Sequence, residues 1–317
     1  MPDCPLCDIS HEGGPDVCPE LRTGETVLDK YAVGPLLGVG GMAAVYQVSH
    51  PVLRREIALK ILHKRFAGDA ELGARFIREA RETAGIGHPA FVGVHDAGTT
   101  EDGCAFIEMD RLEGGDLYAL RKAQGALAID RVITIATAIL DALVALHGRG
   151  VIHRDLKAAN VFLVPGPDGS ERVKLLDLGF AKVADDLQLT SPDALLGTPF
   201  YISPEQYVDP TKVDARADLF SLGIVLFEVL TGTWPYTYES KRDLLHKVMK
   251  GMLERHPASR RSEIPVWLDA IVARALALDR DDRFASAAEM LDAFHAGAAP
   301  AAPEPAKPGF FKRLLKR

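Results

Sequence analysis

The 317-residue sequence has no continuous apolar run long enough to cross a membrane. Its longest apolar stretch, Leu219 to Leu230, contains Ser221 and Glu228 and falls short of the roughly 20 residues that a membrane-spanning helix needs. We therefore expect this stretch to form a buried helix. Residues 1–8 also lack a basic region followed by an apolar one, as a secretory signal would have, so we expect a cytoplasmic protein.

The sequence has no excess of positive charge and little cysteine. The formal net charge is −7, and the one basic run lies at residues 312–317. This argues against general nucleic-acid binding, because affinity for the phosphate backbone depends on clustered Lys and Arg. Only four cysteines occur, and in the cytoplasm we expect them to be reduced.

Composition divides the sequence into three segments. Residues 1–29 form a head that contains Cys and Gly, residues 30–295 form a body with regular apolar periodicity, and residues 296–317 form an Ala/Pro linker with a basic tail. The length of the body suits an enzyme of two lobes.

The body changes character along its length. Its first part predicts strands, because the apolar runs 36–37, 45–48 and 57–62 are short, rich in β-forming residues and bounded by Gly or Pro. A helix is predicted at about 70–86. Between 132 and 146 the apolar residues repeat at three- and four-residue spacing, which is typical of a helix. We therefore expect an α+β fold whose first part is β-rich and whose second part is α-rich.

A glycine-rich hairpin is predicted between the first two strands. It includes Leu37, Gly38, Gly40 and Val45. Small residues there let backbone N–H groups approach phosphates that a Cβ would obstruct. A plain tight turn would need the same glycines, so the hairpin alone does not establish a nucleotide site.

Lys60 lies on the next predicted strand, where alternation places it on the same face as Ala58. Ala58 and Val45 could cover a flat base while the Lys60 ammonium group reaches phosphate oxygens; the alternative is a lysine in solvent. Glu79, in the predicted helix, is a candidate partner that would hold this ammonium group in place. A solvated helix face is the alternative for Glu79.

The segment from His153 to Asn160, together with Asp177, carries the most specific signal. Phosphoryl transfer to a hydroxyl needs a carboxylate that orients the attacking oxygen, oxygen ligands for Mg²⁺, and a cation near the moving group. Asp155 supplies the carboxylate, Asn160 and Asp177 supply the metal ligands, and Lys157 supplies the cation.

These motifs resemble those of the eukaryotic-like (Hanks-type) protein serine/threonine kinases of bacteria, over about residues 31–295. The resemblance implies a two-lobed protein kinase fold, with a β-rich N-lobe (30–112) that contains one regulatory helix and an α-rich C-lobe (113–295). It implies ATP as substrate, with Mg²⁺ or Mn²⁺ as the metal ion. The residues that it places around the base and ribose are Met109, Asp110, Leu112, Asp116 and Phe162.

Residues 197–205 resemble the peptide-binding segment of the same family, which implies protein substrates. Thr198 with Lys157 matches the pattern associated with serine and threonine targets, and the resemblance implies an ion pair between Glu205 and Arg283. Arg154 resembles the arginine that receives a phosphate on the activation segment, for which Thr190 and Ser191 are the candidates. The alternative is a loop with incidental hydroxyl groups.

Two positions depart from the family pattern. Ala43 occupies the third glycine position of the phosphate loop, where we expect it to loosen or reshape the hold on the nucleotide. Leu178 stands where Phe is usual between Asp177 and Gly179. Neither departure touches a reacting group, so we expect an active, autophosphorylating kinase in signal transduction. The rivals are a pseudokinase scaffold, against which the intact charged residues argue, and a small-molecule phosphotransferase, which would usually lack the segment 197–205.

The head and the tail carry further hypotheses. Cys4, Cys7, His11 and Cys18 provide three thiols and one imidazole, enough for a tetrahedral Zn²⁺ site, although a redox-sensitive head or incidental cysteines are alternatives. Residues 310–317 alternate apolar and basic pairs, so a short helix there could contact anionic lipid weakly at the inner membrane face. A solvated tail is the alternative. Homodimerisation is left open.

Overall fold

The structure is a computed structural model that describes residues 21–50, 52, 54–166, 168–179 and 199–299. Elements are numbered within these ranges. The strands are β1 Thr26–Val27, β2 Tyr31–Val39, β3 Ala43–Ser49, β4 Glu56–Leu62, β5 Val94–Thr99, β6 Ala105–Asp110, β7 Gly115–Asp116, β8 Val161–Pro165 and β9 Glu171–Leu175. The helices are α1 Ala70–Ile86, α2 Leu117–Gln124, α3 Ile129–His147, α4 Pro204–Val208, α5 Arg216–Thr231, α6 Lys241–Met249, α7 Val266–Ala275 and α8 Ala287–Ala298. Short 3-10 turns lie at Lys64–Phe66, Ala158–Asn160, Pro199–Tyr201, Pro210–Lys212, Pro257–Ser259 and Arg280–Asp282.

The N-lobe is an antiparallel sheet of order β1-β2-β3-β4-β6-β5 with one helix, α1, packed against it. The start of α1 is capped by Asp69, whose carboxylate accepts a hydrogen bond from the Leu72 N–H at 2.9 Å. The helix ends at Gly87, which adopts a left-handed conformation with φ 66°. The helix predicted at about 70–86 is therefore confirmed.

Part of the expected head lies on the N-lobe. Strand β1 pairs with β2, and Val27 is buried in the core of the lobe. Arg22 is also buried, and its guanidinium donates to the Asp102 carboxylate at 2.7 Å and to Cys104 Sγ at 3.1 Å. Residues 21–29 are thus tied to the far hairpin of the sheet by a buried charge that has a partner.

The C-lobe is built around α3 and α5. Every residue of α5 from Ala217 to Leu230 is buried, which confirms the predicted buried helix. Its two charged side chains have partners: Asp218 accepts a hydrogen bond from the His153 N–H, and Glu228 binds Arg121 and the Tyr201 hydroxyl. No helix in the described ranges is long and apolar enough to span a membrane.

The predicted ion pair between Glu205 and Arg283 is present. Arg283 Nη1 and Nη2 lie 2.7 and 2.8 Å from the two carboxylate oxygens of Glu205, which is a bidentate geometry. Arg283 is almost fully buried, and it also donates to the carbonyl groups of Ala277 and Leu278. The pair therefore fixes α4, and with it the end of the 197–205 segment, to the C-lobe core.

Candidate active site

The ammonium group of Lys60 lies between two carboxylates. Its Nζ is 3.4 Å from Glu79 Oε1 on α1 and 2.6 Å from Asp177 Oδ1, which follows β9. Lys60 reaches this point because β4 pairs with β3 on one side and β6 on the other, with Lys60 opposite Val45 and Ile107. Groups from β4, α1 and the C-lobe thus meet at one cation.

Burial and charge act on this group together. Burial lowers the pKa of Lys60, but the charges of Asp177 and Glu79 outweigh it and hold that pKa above its ordinary value. Burial raises the pKa of Glu79 to about 7, because Lys60 offsets only part of the cost and Asp177 and Asp155 add repulsion. Lys60 compensates Glu79 only in part because its ammonium group lies closer to Asp177 than to Glu79.

The segment from His153 to Asn160, which we call the catalytic loop, brings Lys157 and Asn160 into contact with Asp155. Lys157 Nζ lies 2.9 Å from Asp155 Oδ2. Asn160 Nδ2 donates to the Asp155 carbonyl oxygen at 2.9 Å and to Asp155 Oδ2 at 3.1 Å. Because Nδ2 is used in these bonds, the Asn160 Oδ1 faces away from Asp155 and is available as an oxygen ligand.

A buried carboxylate holds this loop in place. Asp218 accepts hydrogen bonds from the backbone N–H of His153 at 2.8 Å and of Arg154 at 2.9 Å, and it contacts His147 Nε2 at 2.7 Å. Burial opposes ionisation of Asp218, but the His147 hydrogen bond and the His147 and His153 charges outweigh it and keep its pKa below the usual value. Arg154 has a φ of 64°, an unfavourable conformation for a non-glycine residue that these bonds help to maintain.

Asp177 lies on a strained segment beside the catalytic loop. Its φ is 49°, and its side chain is about half exposed while Leu178 is buried in the C-lobe core. Gly179 N–H donates to the His153 carbonyl at 2.8 Å. A Cβ on Gly179 would lie 3.0 Å from Asp155 Cβ and 3.1 Å from that carbonyl, so a side chain there would press on the catalytic loop.

These oxygens suit a hard divalent cation. Asp177 offers an exposed carboxylate and Asn160 offers the amide oxygen that its own hydrogen bonds leave over, both of which are ligand types that Mg²⁺ prefers. No cluster of three or more His, Cys, Asp or Glu side chains with metal-binding geometry occurs among the residues that the structure describes. The predicted zinc ligands Cys4, Cys7, His11 and Cys18 lie outside those residues.

The glycine-rich hairpin joins β2 and β3 above this site. A Cβ on Gly38 or Gly41 would meet no protein atom within 4 Å, and neither residue has a positive φ. The fold itself therefore does not require glycine at these positions, whereas a closely approaching phosphate would. Ala43 is buried, and its methyl group packs in the N-lobe core.

The predicted base-binding residues lie on or near strands of both lobes. Ala58 is opposite Met109 in the β4–β6 pairing, and Asp110 ends β6. Phe162 is opposite Asp116 in the β7–β8 pairing. Asp116 caps α2 by accepting a hydrogen bond from the Ala119 N–H at 2.7 Å, so one of its carboxylate oxygens is already engaged. Leu37 is 46% exposed at the end of β2, and Leu112 is half-buried.

The regulatory candidates are only partly described. The Arg154 guanidinium donates to the Pro210 carbonyl at 3.2 Å. Thr190, Ser191 and Thr198 lie outside the described residues. His147 was missed by the sequence reasoning, since a histidine at the end of an amphipathic helix carries no local sign of its contact with Asp218, 71 positions away.

Comparisons with known proteins agree on one family. The protein family described as "Protein kinase domain" matches residues 31–294 of this chain. The chain is 36% identical over 292 residues to serine/threonine-protein kinase PknB of Mycobacterium leprae, covering 90% of this chain and 46% of that protein. It is 36% identical over 271 residues to serine/threonine-protein kinase pkn3 of Myxococcus xanthus, covering 83% and 49%. The chain thus spans about half the length of these curated relatives.

Solved structures show the same fold. The crystal structure of the Mycobacterium tuberculosis PknI kinase domain superimposes with a TM-score of 0.66 at 30% identity, covering 88% of this chain and 100% of that one. Because 30% of the aligned residues are identical, the two proteins are similar in sequence as well as in fold.

Replacement of Gly38 tests whether the hairpin holds a phosphate. We expect Gly38→Ala to raise the KM for ATP by about threefold or more, because its Cβ would obstruct approach of the phosphates to the backbone. Its melting temperature should not fall, since the added Cβ meets no protein atom. Steady-state kinetics and thermal unfolding measure the two effects.

Gly73→Ala is the matched control for this substitution. Gly73 lies on α1, where an added Cβ would meet only the Ala105 side chain at 3.7 Å. This variant should keep the KM of the wild type. An unchanged KM in Gly38→Ala would contradict a phosphate-binding role for the hairpin.

Proposed function

This chain belongs to the protein kinase family, and from that premise we propose that it transfers the γ-phosphoryl group of ATP to serine or threonine hydroxyl groups of proteins. One observation carries the proposal: Lys60 contacts Glu79 and Asp177, while Lys157 and Asn160 both contact Asp155. A structural role alone gives no reason for so many charged groups from both lobes to converge on one cleft.

Asp155 is the group that acts on the acceptor. Its carboxylate orients the substrate hydroxyl and takes its proton as the new oxygen–phosphorus bond forms and the bond to ADP breaks. Lys157, 2.9 Å from Asp155, places a positive charge beside the transferred group. Asn160 holds Asp155 by two hydrogen bonds, so the carboxylate is oriented before the substrate binds.

Lys60 is the group that aligns ATP. Its ammonium group is held by Glu79 from α1, and it would bind phosphate oxygens on the side of the cleft that the glycine-rich hairpin covers. Asn160 and Asp177 would hold Mg²⁺, which supplies charge neutralisation at the phosphate oxygens. Asp177 would then exchange part of its contact with Lys60 for the metal ion.

Protein acceptors follow from the part of the fold next to the catalytic loop. Ser203 caps α4, and Gln206 Nε2 donates to the Arg154 carbonyl at 2.9 Å, so this segment is joined directly to the residue before Asp155. The contact therefore fixes the segment beside Asp155, where an acceptor would bind, and the serine/threonine kinase names of the relatives support proteins as the acceptor class.

A transfer assay tests the proposed function. The purified protein is incubated with ATP, Mg²⁺ and a generic protein acceptor such as casein, and the phosphorylated residues are identified by phosphoamino-acid analysis. Asp155→Asn and Lys60→Met should each lower the rate by about 100-fold or more, since a positioned general base alone contributes about 10²–10⁴. The matched controls are Asp130→Asn on α3 and Lys122→Met on α2, both of which are exposed and make none of the cleft contacts described above.

The controls should retain the wild-type rate. ATP binding without transfer in the wild type would contradict the proposal and favour a non-catalytic scaffold. Transfer only to small-molecule hydroxyls would contradict the protein acceptor. Phosphopeptide maps from the same reactions test autophosphorylation at Thr190 and Ser191, which should be absent in Asp155→Asn.

The head and the tail are proposed to have separate roles that rest on sequence alone. We expect one Zn²⁺ per chain, held by Cys4, Cys7, His11 and Cys18, and measured by elemental analysis of the purified protein. Cys7→Ser should lose the metal without losing the kinase domain, and a wild type without zinc would refute the site. Co-sedimentation with anionic liposomes tests the tail, and light scattering tests dimerisation.

A further inference from the structure

A cavity of about 460 Å³ lies beside residues 110–113, the hinge that joins the two lobes. Its walls come from the start of β4, from residues 110–113, and from the β8–β9 hairpin. It shares Asp110 and Leu112 with the predicted base-binding residues, but neither the glycine-rich hairpin nor Lys60 lines it. We call this space the hinge cavity. Its volume is in the range that small-molecule sites occupy.

The carboxylates of the hinge cavity are already engaged. Arg111 Nη1 pairs with Glu56 at 3.2 Å and with Glu113 at 3.1 Å. Asp110 pairs with His95 at 2.7 Å. The three acidic groups that line the cavity are therefore partnered by Arg111 or by the His95 ring.

Three cations of the cavity have no such carboxylate. Within the described ranges, Arg55, Arg172 and Lys174 line the space and form no ion pair. Arg55 belongs to the N-lobe, whereas Arg172 and Lys174 lie on β9 of the C-lobe. The hinge cavity thus has an excess of positive charge contributed by both lobes, although the chain as a whole is acidic.

Two further observations indicate that hydrogen-bond donors around the cavity lack acceptors. Arg111 Nε is buried and has no hydrogen-bond partner in the described part of the chain. Among the residues that the structure describes, Lys174 Nζ donates only to the neutral Phe91 carbonyl, at 2.9 Å. Burial lowers the pKa of Lys174, and the nearby charge of Arg172 adds to this effect while Asp110 opposes it. An anion in the cavity would compensate these groups.

We propose that the hinge cavity binds a small multivalent anion, with carboxylate or phosphate groups that contact Arg55 on one lobe and Arg172 and Lys174 on the other. Charged hydrogen bonds of this kind are stronger than neutral ones, and guanidinium groups match the geometry of both anions. Because the contacts come from both lobes, the bound anion would bridge the lobes beside the hinge. This inference does not depend on catalysis.

The probe for this site is benzene-1,3,5-tricarboxylate, whose three carboxylates match the three cations. It is titrated into the full chain by isothermal titration calorimetry at low ionic strength, where screening is weak. The titration is run with and without a saturating non-hydrolysable ATP analogue and Mg²⁺. We expect binding at one site per chain in both titrations, and much weaker binding of benzoate, which carries a single charge.

A double variant locates the site. Arg55→Gln with Arg172→Gln should weaken tricarboxylate binding by about tenfold or more, because two charge-assisted contacts are lost. The control, Arg54→Gln with Arg255→Gln, removes the same charge from exposed arginines of each lobe that do not line the cavity. It should change the affinity by no more than about twofold.

Three results would overturn the proposal. The first is no binding of the tricarboxylate to the wild type. The second is binding that disappears when the ATP analogue is present, which would place the anion beside Lys60. The third is equal weakening in the two double variants, which would indicate attraction by net charge alone.

Discussion

The contact of Lys60 with two carboxylates is the constraint on which the cleft depends. Glu79 lies on α1, Lys60 lies on β4, and Asp177 belongs to the C-lobe, so the contact fixes a helix, a sheet and the second lobe relative to one another. A buried ammonium group without carboxylate partners would be costly, which makes separation of these elements unfavourable. The same contact therefore sets the position of α1 and the geometry of the cleft in which we propose that the nucleotide binds.

A second buried charge orders the catalytic loop. Asp218 accepts two backbone hydrogen bonds from His153 and Arg154 and contacts His147. The loop can keep a positive φ at Arg154 because these bonds offset its cost. Asp155 is thus positioned by α5, the most buried helix of the C-lobe, and the same loop contacts α4 through Gln206. In the proposed function, acceptor binding and proton acceptance would therefore share one rigid support.

Local sequence patterns were sufficient to predict these secondary-structure elements and the groups that would react. The helix at 70–86 and the buried helix around 219–230 were predictable because apolar periodicity and end signals are local. Asp155, Asn160 and Asp177 were recognisable because they are the side-chain types that phosphoryl transfer needs and they stand within 23 positions of one another in the sequence. By contrast, the burial of Arg22, the His147 contact with Asp218 and the hinge cavity arise between segments about 50 or more positions apart. No local pattern encodes such contacts, since tertiary packing alone brings them together.

The pH dependence of ATP use tests the central contact most directly. In the free protein, burial raises the pKa of Glu79 to about 7, so below that pH a growing fraction of Glu79 is neutral and holds Lys60 less firmly. Since kcat/KM reports ionisations of the free enzyme, kcat/KM for ATP should rise as the pH increases through about 7 in the wild type. In Glu79→Gln this rise should be lost, leaving only the titration of ATP itself. Identical pH profiles for the two proteins would contradict the account.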